Sequence, residues 1–253
     1  MPLQITARVN TFNEEDNIAA ALESVAWADE ILVLDSFSTD RTVEIARRFT
    51  DRVVQHEFVS HGEQHNFADT LCSHEWVLVL DADERLTPEL SAALQRVRAE
   101  GTGLDGFRMA RRAWYLGRWI RHCGWYPDWQ TRLYRRAVTR WDGDPPHEEP
   151  KVAGRVARLP GDMLHYTRRH LHEHVAVMNR YTDLASAARF RQGDRISYLR
   201  LALTPPAVFF RTYFLKQGFR DGWQGLVIAY LAAAYVHLKQ AKLFERHRMP
   251  PPS

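Results

Sequence analysis

Two cysteines, Cys72 and Cys123, are all the thiol chemistry in this 253-residue chain. They have no metal-ligand spacing and cannot build a disulfide framework, so the expectation is reduced thiols in a cytoplasmic compartment. No strand-like run leads into the glycine fingerprint of a dinucleotide fold, and the Walker lysine loop is absent, which argues against those two classes of nucleotide site. There is no unbroken stretch of about 18 to 20 apolar residues, so no membrane span is expected. The N-terminus enters a strand-like run without a basic-then-apolar signal segment. Internal repeats and low-complexity tracts are missing as well. The net charge of +3 says little until its distribution is examined.

What the chain does have is a series of short apolar runs, several of which end in polar residues. Residues 5–9, 31–34, 52–56 and 76–80 read as strands. Between them, Ile18, Ala21, Leu22 and Val25 share a helical face, 42–49 and 61–71 have helical spacing, and a further helix starts near Pro88. Strands alternating with helices at this interval predict a parallel sheet with right-handed crossovers.

The run Glu75-Trp-Val-Leu-Val-Leu-Asp-Ala-Asp-Glu84 is the centre of the chain. Residues 76–80 read as a strand buried on both faces, and open sheets of this kind bind ligands outside the carboxyl ends of their strands. Asp81 and Asp83, two apart, share a face in an extended segment. They supply two hard oxygen ligands suited to Mg²⁺ or Mn²⁺, with coordination positions left over for phosphate. The plainer reading is a solvated acidic turn. Polar side chains also collect at 10–15 and at Asp35, after two other strands, which is a nucleotide-binding layout. Gln64 and Asn66 lie on a helix whose polar face could approach a donor.

Beyond about residue 103 the character changes. Residues 106–112, 130–134 and 156–159 read as strands, followed by 163–166, and 142–149 reads as a loop. Nine arginines from Arg108 to Arg140 are interleaved with Trp114, Tyr115, Trp119, Trp125, Tyr126 and Trp129. That mixture suits an anionic acceptor, with arginine forks on phosphate or carboxylate and aromatic faces on sugar rings. It equally suits an aromatic core with solvated arginines. Nucleic acid is discounted, because the acidic site argues for a metal–diphosphate ligand. His170, His172 and His174 read as a solvated helix start. Residues 171–191 form a helix, and 205–245 one or two more, broken near 218–225. Residues 209–243 carry Arg211, Lys216, Arg220, Lys239 and Lys242 among apolar side chains. The apolar core at 226–236 is too short to span a bilayer, so the segment either lies in a lipid headgroup layer or packs against protein.

Three motifs in order, Asn10-Thr-Phe-Asn-Glu-Glu, Val33-Leu-Asp-Ser-Phe-Ser-Thr-Asp-Arg-Thr and Leu80-Asp-Ala-Asp-Glu, resemble family 2 glycosyltransferases of the GT-A fold. The central run, the later Pro146-His-Glu, His165-Tyr and Lys216-Gln-Gly-Phe-Arg-Asp-Gly-Trp are similar to the bacterial lipopolysaccharide-core subgroup. The resemblance implies an α/β GT-A fold, Rossmann-like, with a mostly parallel sheet flanked by helices and a C-terminal helical extension. The expected boundaries are a catalytic domain at 1–168, with a nucleotide-sugar half at 1–100 and an acceptor half at 101–168, and a helical extension at 169–253. It implies that Asn10, Phe12 and Glu15 hold the nucleoside, that Asp35 reads the base, and that Asp81, Asp83 and His165 serve a Mg²⁺ or Mn²⁺ ion and the diphosphate. Phe12 stands where tyrosine is common, which keeps stacking and loses a hydroxyl contact. The family's catalytic acid lies in a Glu-Asp pair. The nearest counterpart here is His147-Glu148, making Glu148 the expected base, with Glu149, Asp144 and Asp142 in reserve.

The expected activity is metal-dependent, inverting transfer from a nucleotide-diphosphate sugar, preferably a UDP-sugar, to a lipopolysaccharide-core or other lipid-linked glycan. The expected location is cytoplasmic, peripheral on the cytoplasmic face of the inner membrane, with a homo-oligomer as a further option and no nucleic-acid partner. Two other classes compete. A sugar-1-phosphate nucleotidyltransferase would carry a glycine- and basic-rich loop after its first strand, where residues 10–17 are acidic. A non-catalytic sugar-nucleotide binder would have less reason to keep the paired aspartates and Glu148.

Overall fold

The computed structural model describes residues 2–143, 148–168 and 170–249. The chain divides into two compact units. One comprises Met1–Arg112 with Asp128–His165, the other Ala113–Pro127 with Tyr166–Ser253. These units divide at 165, beside the expected boundary of 168, and the segment 113–127, expected within the acceptor half, groups with the helical unit.

The first unit is built on β1 (Ile5–Thr11), β2 (Glu30–Asp35), β3 (Val53–Gln55) and β4 (Trp76–Asp81), parallel to one another in the order β3-β2-β1-β4. The sheet continues with β8 (Asp128–Arg135), β6 (Gly106–Tyr115), β11 (Val156–Arg168) and β5 (Glu84–Leu86). The pairs β4–β8, β6–β8 and β11–β5 are antiparallel. The two expected strands at 156–159 and 163–166 are one long strand.

The helices α1 (Ile18–Ser24), α2 (Thr42–Ala46), α3 (His61–Leu71) and α4 (Pro88–Glu100) connect these strands. α3 starts on Ser60, whose hydroxyl accepts from the Glu63 N–H. α4 starts on Thr87, which caps the Leu90 N–H with Pro88 in the first turn, both ordinary N-terminal signals. Gly161, at φ +87°, lets β11 pass close to that turn, since a Cβ there would lie 2.4 Å from the Leu90 nitrogen.

β4 is buried on both faces. Trp76, Leu78 and Leu80 join the main core with Ile5, Ala7 and Val9, while Val77 and Val79 join a second cluster with Leu32 and Tyr134. Full burial of each leucine contributes about 1.5–3 kcal/mol. The register sets Asn10 beside Asp81 and Thr11 beside Asp35, so three parallel strands end together at one edge. A small hairpin of β9 (Thr139–Asp142) and β10 (Glu149–Val152) completes this unit.

In the second unit, β7 (Arg118–Trp119) pairs with the end of β6 through Trp114 and Tyr115. Helices α5 (Leu171–Arg191), α6 (Tyr198–Phe210) and α7 (Gly222–Arg248) follow. A π-helical turn at Arg211–Leu215 and a 3-10 turn at Gly218–Asp221 separate α6 from α7. α6 begins seven residues before the Pro205 start expected for this segment, and Pro205 and Pro206 lie inside it. The buried carboxylate of Asp221 accepts from the backbone N–H groups of Arg121 and His122 and meets His122 Nδ1 at 3.0 Å. Among the described residues no helix is long and apolar enough to cross a membrane.

Candidate active site

A cavity of about 180 Å³ opens at the carboxyl ends of the parallel strands. Asn10, Thr11, Phe12 and Glu14 line it from the end of β1, Ser36 from the end of β2, and Asp81, Ala82 and Asp83 from the end of β4. Phe58, His61, Gln64 and His65 close the side formed by α3 and the segment before it. Of the residues singled out in the sequence, Asn10, Phe12, Asp81, Asp83 and Gln64 meet here. Thr11, Glu14 and Ser36 come from the quoted motifs, while Phe58, His61 and His65 are additions of the structure. His61, Gln64 and His65 sit at i, i+3 and i+4 on α3, and that spacing was the available signal.

The floor is a buried polar network. Arg8 is fully buried; it pairs with Asp69 at 3.1 Å and donates to Asn10 Oδ1 at 3.0 Å and to the Tyr134 hydroxyl at 3.1 Å. Tyr134 donates to Asp69 and accepts from Trp141 Nε1 at 2.9 Å. His65 stacks on Trp141 with ring centroids 3.6 Å apart and meets Arg8 Nη1 at 2.9 Å through Nδ1. Burial, reinforced by the Arg8 charge, holds the His65 imidazole well below its usual range. It therefore faces the cavity as a neutral ring. Asn66 does not join it, because its amide bonds both the N–H and the C=O of Trp141 and so ties α3 to β9.

The two motif loops hold each other. Asn13 accepts from the Thr39 N–H at 2.8 Å and its own N–H donates to the Ser38 hydroxyl. The N–H of Glu14 donates to Thr42, and that of Glu15 to Asp40. The Glu15 carboxylate takes both the backbone and the side chain of Arg41 at 3.1 Å. Glu15 thus orders the loop, and its neighbour Glu14 lines the cavity. Asp35 is fully buried; it accepts from the Ser38 N–H at 3.0 Å and from Gln55 at 2.9 Å, so its carboxylate is turned to those partners. Phe12 presents a 57% exposed ring, free for stacking.

The acids after β4 have different surroundings. Asp81 Oδ2 pairs with Arg132 at 2.9 Å. Desolvation alone would push this carboxyl up, but Arg132, together with His65 and Arg111, holds the acid below the usual carboxylate range. Glu84 is completely buried and bridges Arg132 at 2.8 Å and Arg111 at 3.2 Å; burial nevertheless raises its carboxyl. Asp83 pairs with His165 Nε2 at 3.0 Å, a contact set by the antiparallel register of His165 with Glu84. Burial pulls the His165 imidazole down, and the hydrogen bond and charge of Asp83 with the charge of Glu84 leave the net shift upward.

Tested against a divalent cation, this donor set fits. Asp83 and His165 offer a hard oxygen and an imidazole nitrogen side by side, and Asp81 keeps its other oxygen outside the Arg132 pair. Among the described residues no three acidic, histidine or cysteine side chains already form a cage. Mg²⁺ usually takes one or two carboxylates and fills its shell with phosphate and water, so a cage is not required.

Glu148 stands at the start of α3, beside the cavity-lining His61. Its Oε1 accepts from the Gly62 N–H at 3.2 Å, while its Oε2 is buried and has no hydrogen-bond partner among the described residues. Glu149 is paired with the Lys151 ammonium at the surface, and Asp142 bonds the Gly143 N–H. Asp144 and His147 lie outside the described residues. The arginines of the 108–140 region are partly spent on structure: Arg111 on Asp128 and Glu84, Arg112 on Asp162, Arg132 on Asp81 and Glu84, and Arg135 on Glu75 and Asp105.

The family model of glycosyl transferase family 2 matches residues 8–152, the span that contains both motif loops and the acidic strand end. The chain belongs to this family. The lipopolysaccharide core biosynthesis glycosyltransferase LpsC of Rhizobium meliloti is 30% identical over 259 residues, covering 98% of this chain and 94% of that protein. An uncharacterised glycosyltransferase of Rickettsia felis is 28% identical, covering 96% and 90%. Among solved structures, the mannosyltransferase PcManGT of Pyrobaculum calidifontis, in complex with GDP-Man and Mn²⁺, superposes with a TM-score of 0.57 at 15% identity, covering 96% of this chain and 87% of that one. Residues 1–349 of Staphylococcus aureus TarS give a TM-score of 0.50 at 16% identity, covering 97% and 92%. At these identities the likeness shows the fold, which is the expected GT-A fold with a helical extension. The family 2 motifs of this glycosyltransferase are thus the two interlocked loops and the acidic end of β4.

Proposed function

We propose that this family 2 glycosyltransferase is metal-dependent and inverting. It takes a sugar from a nucleotide-diphosphate donor, with uridine as the base, and delivers it to a lipopolysaccharide-core or other lipid-linked glycan at the cytoplasmic face of the inner membrane. The observation that carries the reading is the convergence of Asn10, Phe12, Asp81 and Asp83 on one cavity, with His165 against Asp83. The relative that biosynthesises lipopolysaccharide core supports the acceptor class.

In this reading the Phe12 ring stacks on the base and Asn10 contacts the nucleoside. Asp35 accepts a base N–H by releasing Gln55, while Glu15 keeps the first loop in place. Asp81, Asp83 and His165 would hold Mg²⁺ or Mn²⁺, which would supply Lewis-acid compensation for the leaving diphosphate. Glu148 takes the proton of the acceptor hydroxyl as that oxygen bonds to the anomeric carbon and the carbon–oxygen bond to diphosphate breaks. A single displacement inverts the centre. Among the described residues nothing donates to Glu148 Oε2, which leaves it an open acceptor, as that role needs.

The test is calorimetric titration of a nucleoside-diphosphate panel, with Mn²⁺ and then with chelator, on wild type, Asp83→Asn and Glu148→Gln. One nucleotide should bind, and only with metal. Asp83→Asn should weaken that binding, whereas Glu148→Gln should keep it and lose turnover. Binding of no nucleotide would overturn the donor assignment, and full turnover in Glu148→Gln would remove Glu148 as the base.

A further inference from the structure

α6 is apolar on two opposite sides, and only one is covered. Leu201, Pro205, Val208 and Phe209 face inward and are half-buried. The other side presents Leu199, Leu203 and Phe210, continued by Phe214 and Leu215 in the π-helical turn, with exposures from 48 to 69%. The spacing 199, 203, 210, 214 is a helical stripe. A second exposed row follows at Phe219, Trp223, Leu226 and Tyr230, in which Tyr230 and Phe219 meet the half-buried rings of Phe209 and Tyr213. Large apolar side chains left exposed this densely mark an interaction surface.

Charge selects the occupant. From residue 195 to 220 the sequence contains Arg195, Arg200, Arg211, Lys216 and Arg220 and no acid. All five are exposed and none forms an ion pair among the described residues, but the Lys216 ammonium is turned inward against Gly124, in a cavity shared with Trp125 and His174, which leaves the four arginines on the outer face. The acid that follows, Asp221, is buried on the Arg121 and His122 backbone. A two-fold partner would set this basic face against itself, whereas an anionic headgroup layer complements it. The later lysines highlighted in the sequence do not contribute equally, since Lys242 is taken by Asp183 and Asn179 of α5.

We propose that α6, the π-helical turn and the first turns of α7 form a docking surface for an anionic phospholipid bilayer. The apolar rows enter the headgroup–acyl boundary, and Arg195, Arg200, Arg211 and Arg220 lie among the phosphates. This rests on the proposed function only for its purpose, bringing the enzyme to a lipid-linked acceptor.

The experiment is flotation of the full chain, without nucleotide, on phosphatidylcholine vesicles with and without phosphatidylglycerol. Wild type should float with the anionic vesicles and not with pure phosphatidylcholine. Each neutralised cation should weaken partition about fivefold, so Arg200→Gln/Arg211→Gln/Arg220→Gln should lose about a hundredfold. Phe210→Gln/Phe214→Gln should also stop floating. Far-UV circular dichroism checks both variants, and the charge variant alone decides if the apolar one misfolds. Failure of wild type to float, equal flotation on both vesicles, or wild-type flotation of the folded variants would overturn the proposal. So would a wild-type dimer in sedimentation that dissolves in Phe210→Gln/Phe214→Gln without any vesicle binding, which would assign the face to a second copy. Nucleotide titration in parallel keeps the two questions apart, because a vesicle-binding protein that ignores nucleotides fails the donor reading alone.

Discussion

Arg8 occupies the middle of a central strand with no solvent exposure, where an unpaired cation would be intolerable. It is tolerated because Asp69, Asn10 and Tyr134 answer its guanidinium, and because Tyr134 is in turn satisfied by Asp69 and Trp141. Removing one member leaves a buried charge alone, so Asp69→Asn should cost about 3–5 kcal/mol in urea unfolding. The double variant Arg8→Met/Asp69→Leu should cost less than the sum of the single changes, and strict additivity would show that the pair is not coupled. Phe12 is the opposite case, a ring that contributes little to the core. Phe12→Ala should leave the melting temperature within a degree or two and weaken nucleotide binding by about five- to a hundredfold, the range of base–aromatic stacking. Phe12→Tyr should retain affinity. A Phe12→Ala enzyme with wild-type affinity would place the base elsewhere.

The elements that sequence made legible are those whose cause is local. β1, β2 and β4 are apolar runs, α3 and α4 carry their own caps, and the acids after β4 follow the strand that positions them. What stayed hidden depends on distant partners. Arg8 meets Tyr134 across 126 positions, and no periodicity within β1 announces it. The pairing of His165 with Asp83 comes from the β11–β5 register, so only the family resemblance pointed to it. At 205–206 a local rule misled: two prolines look like a helix start, but the helix already runs from Tyr198, and wide π-helical backbone follows them. Asp29 shows how a connection is held in such a fold. Just ahead of β2, it accepts from the Ile5 N–H at 2.9 Å and from Arg98 Nε at 3.0 Å, joining β1 to α4. The Arg98 hydrogen bond, assisted by the Ile5 N–H, holds its carboxyl below the usual range against desolvation. A depressed folded pKa means stability that is present above the unfolded value and lost as pH falls through the folded one. Asp29→Asn should therefore be less stable than wild type at neutral pH, and the gap should close below about pH 4. A gap in urea midpoint that persists at pH 2 would assign the effect to packing instead.

At the scale of the whole chain, the first unit sets Asp81, Asp83 and Glu84 after a strand, beside paired arginines, and the second carries exposed arginines without an ion pair among the described residues beside exposed aromatic side chains. A donor with two phosphates requires cationic compensation at the acidic site, and a surface of phosphates requires cations that are not already taken. The same residue types therefore serve in two ways, decided by whether a carboxylate faces them. The second unit's face depends on one close approach. A Cβ on Gly225 would lie 1.8 Å from the Gly218 carbonyl oxygen, a backbone atom with no side chain to swing aside, so Gly225→Ala must push the start of α7 off the 218–221 turn. Amide exchange should then rise across 211–230, where local opening is measured, and vesicle partition should fall with it. Nucleotide affinity should stay within about twofold, as expected for sites without shared partners. If Gly225→Ala instead abolishes nucleotide binding while exchange at 211–230 is unchanged, the close approach supports the catalytic unit and not the docking face.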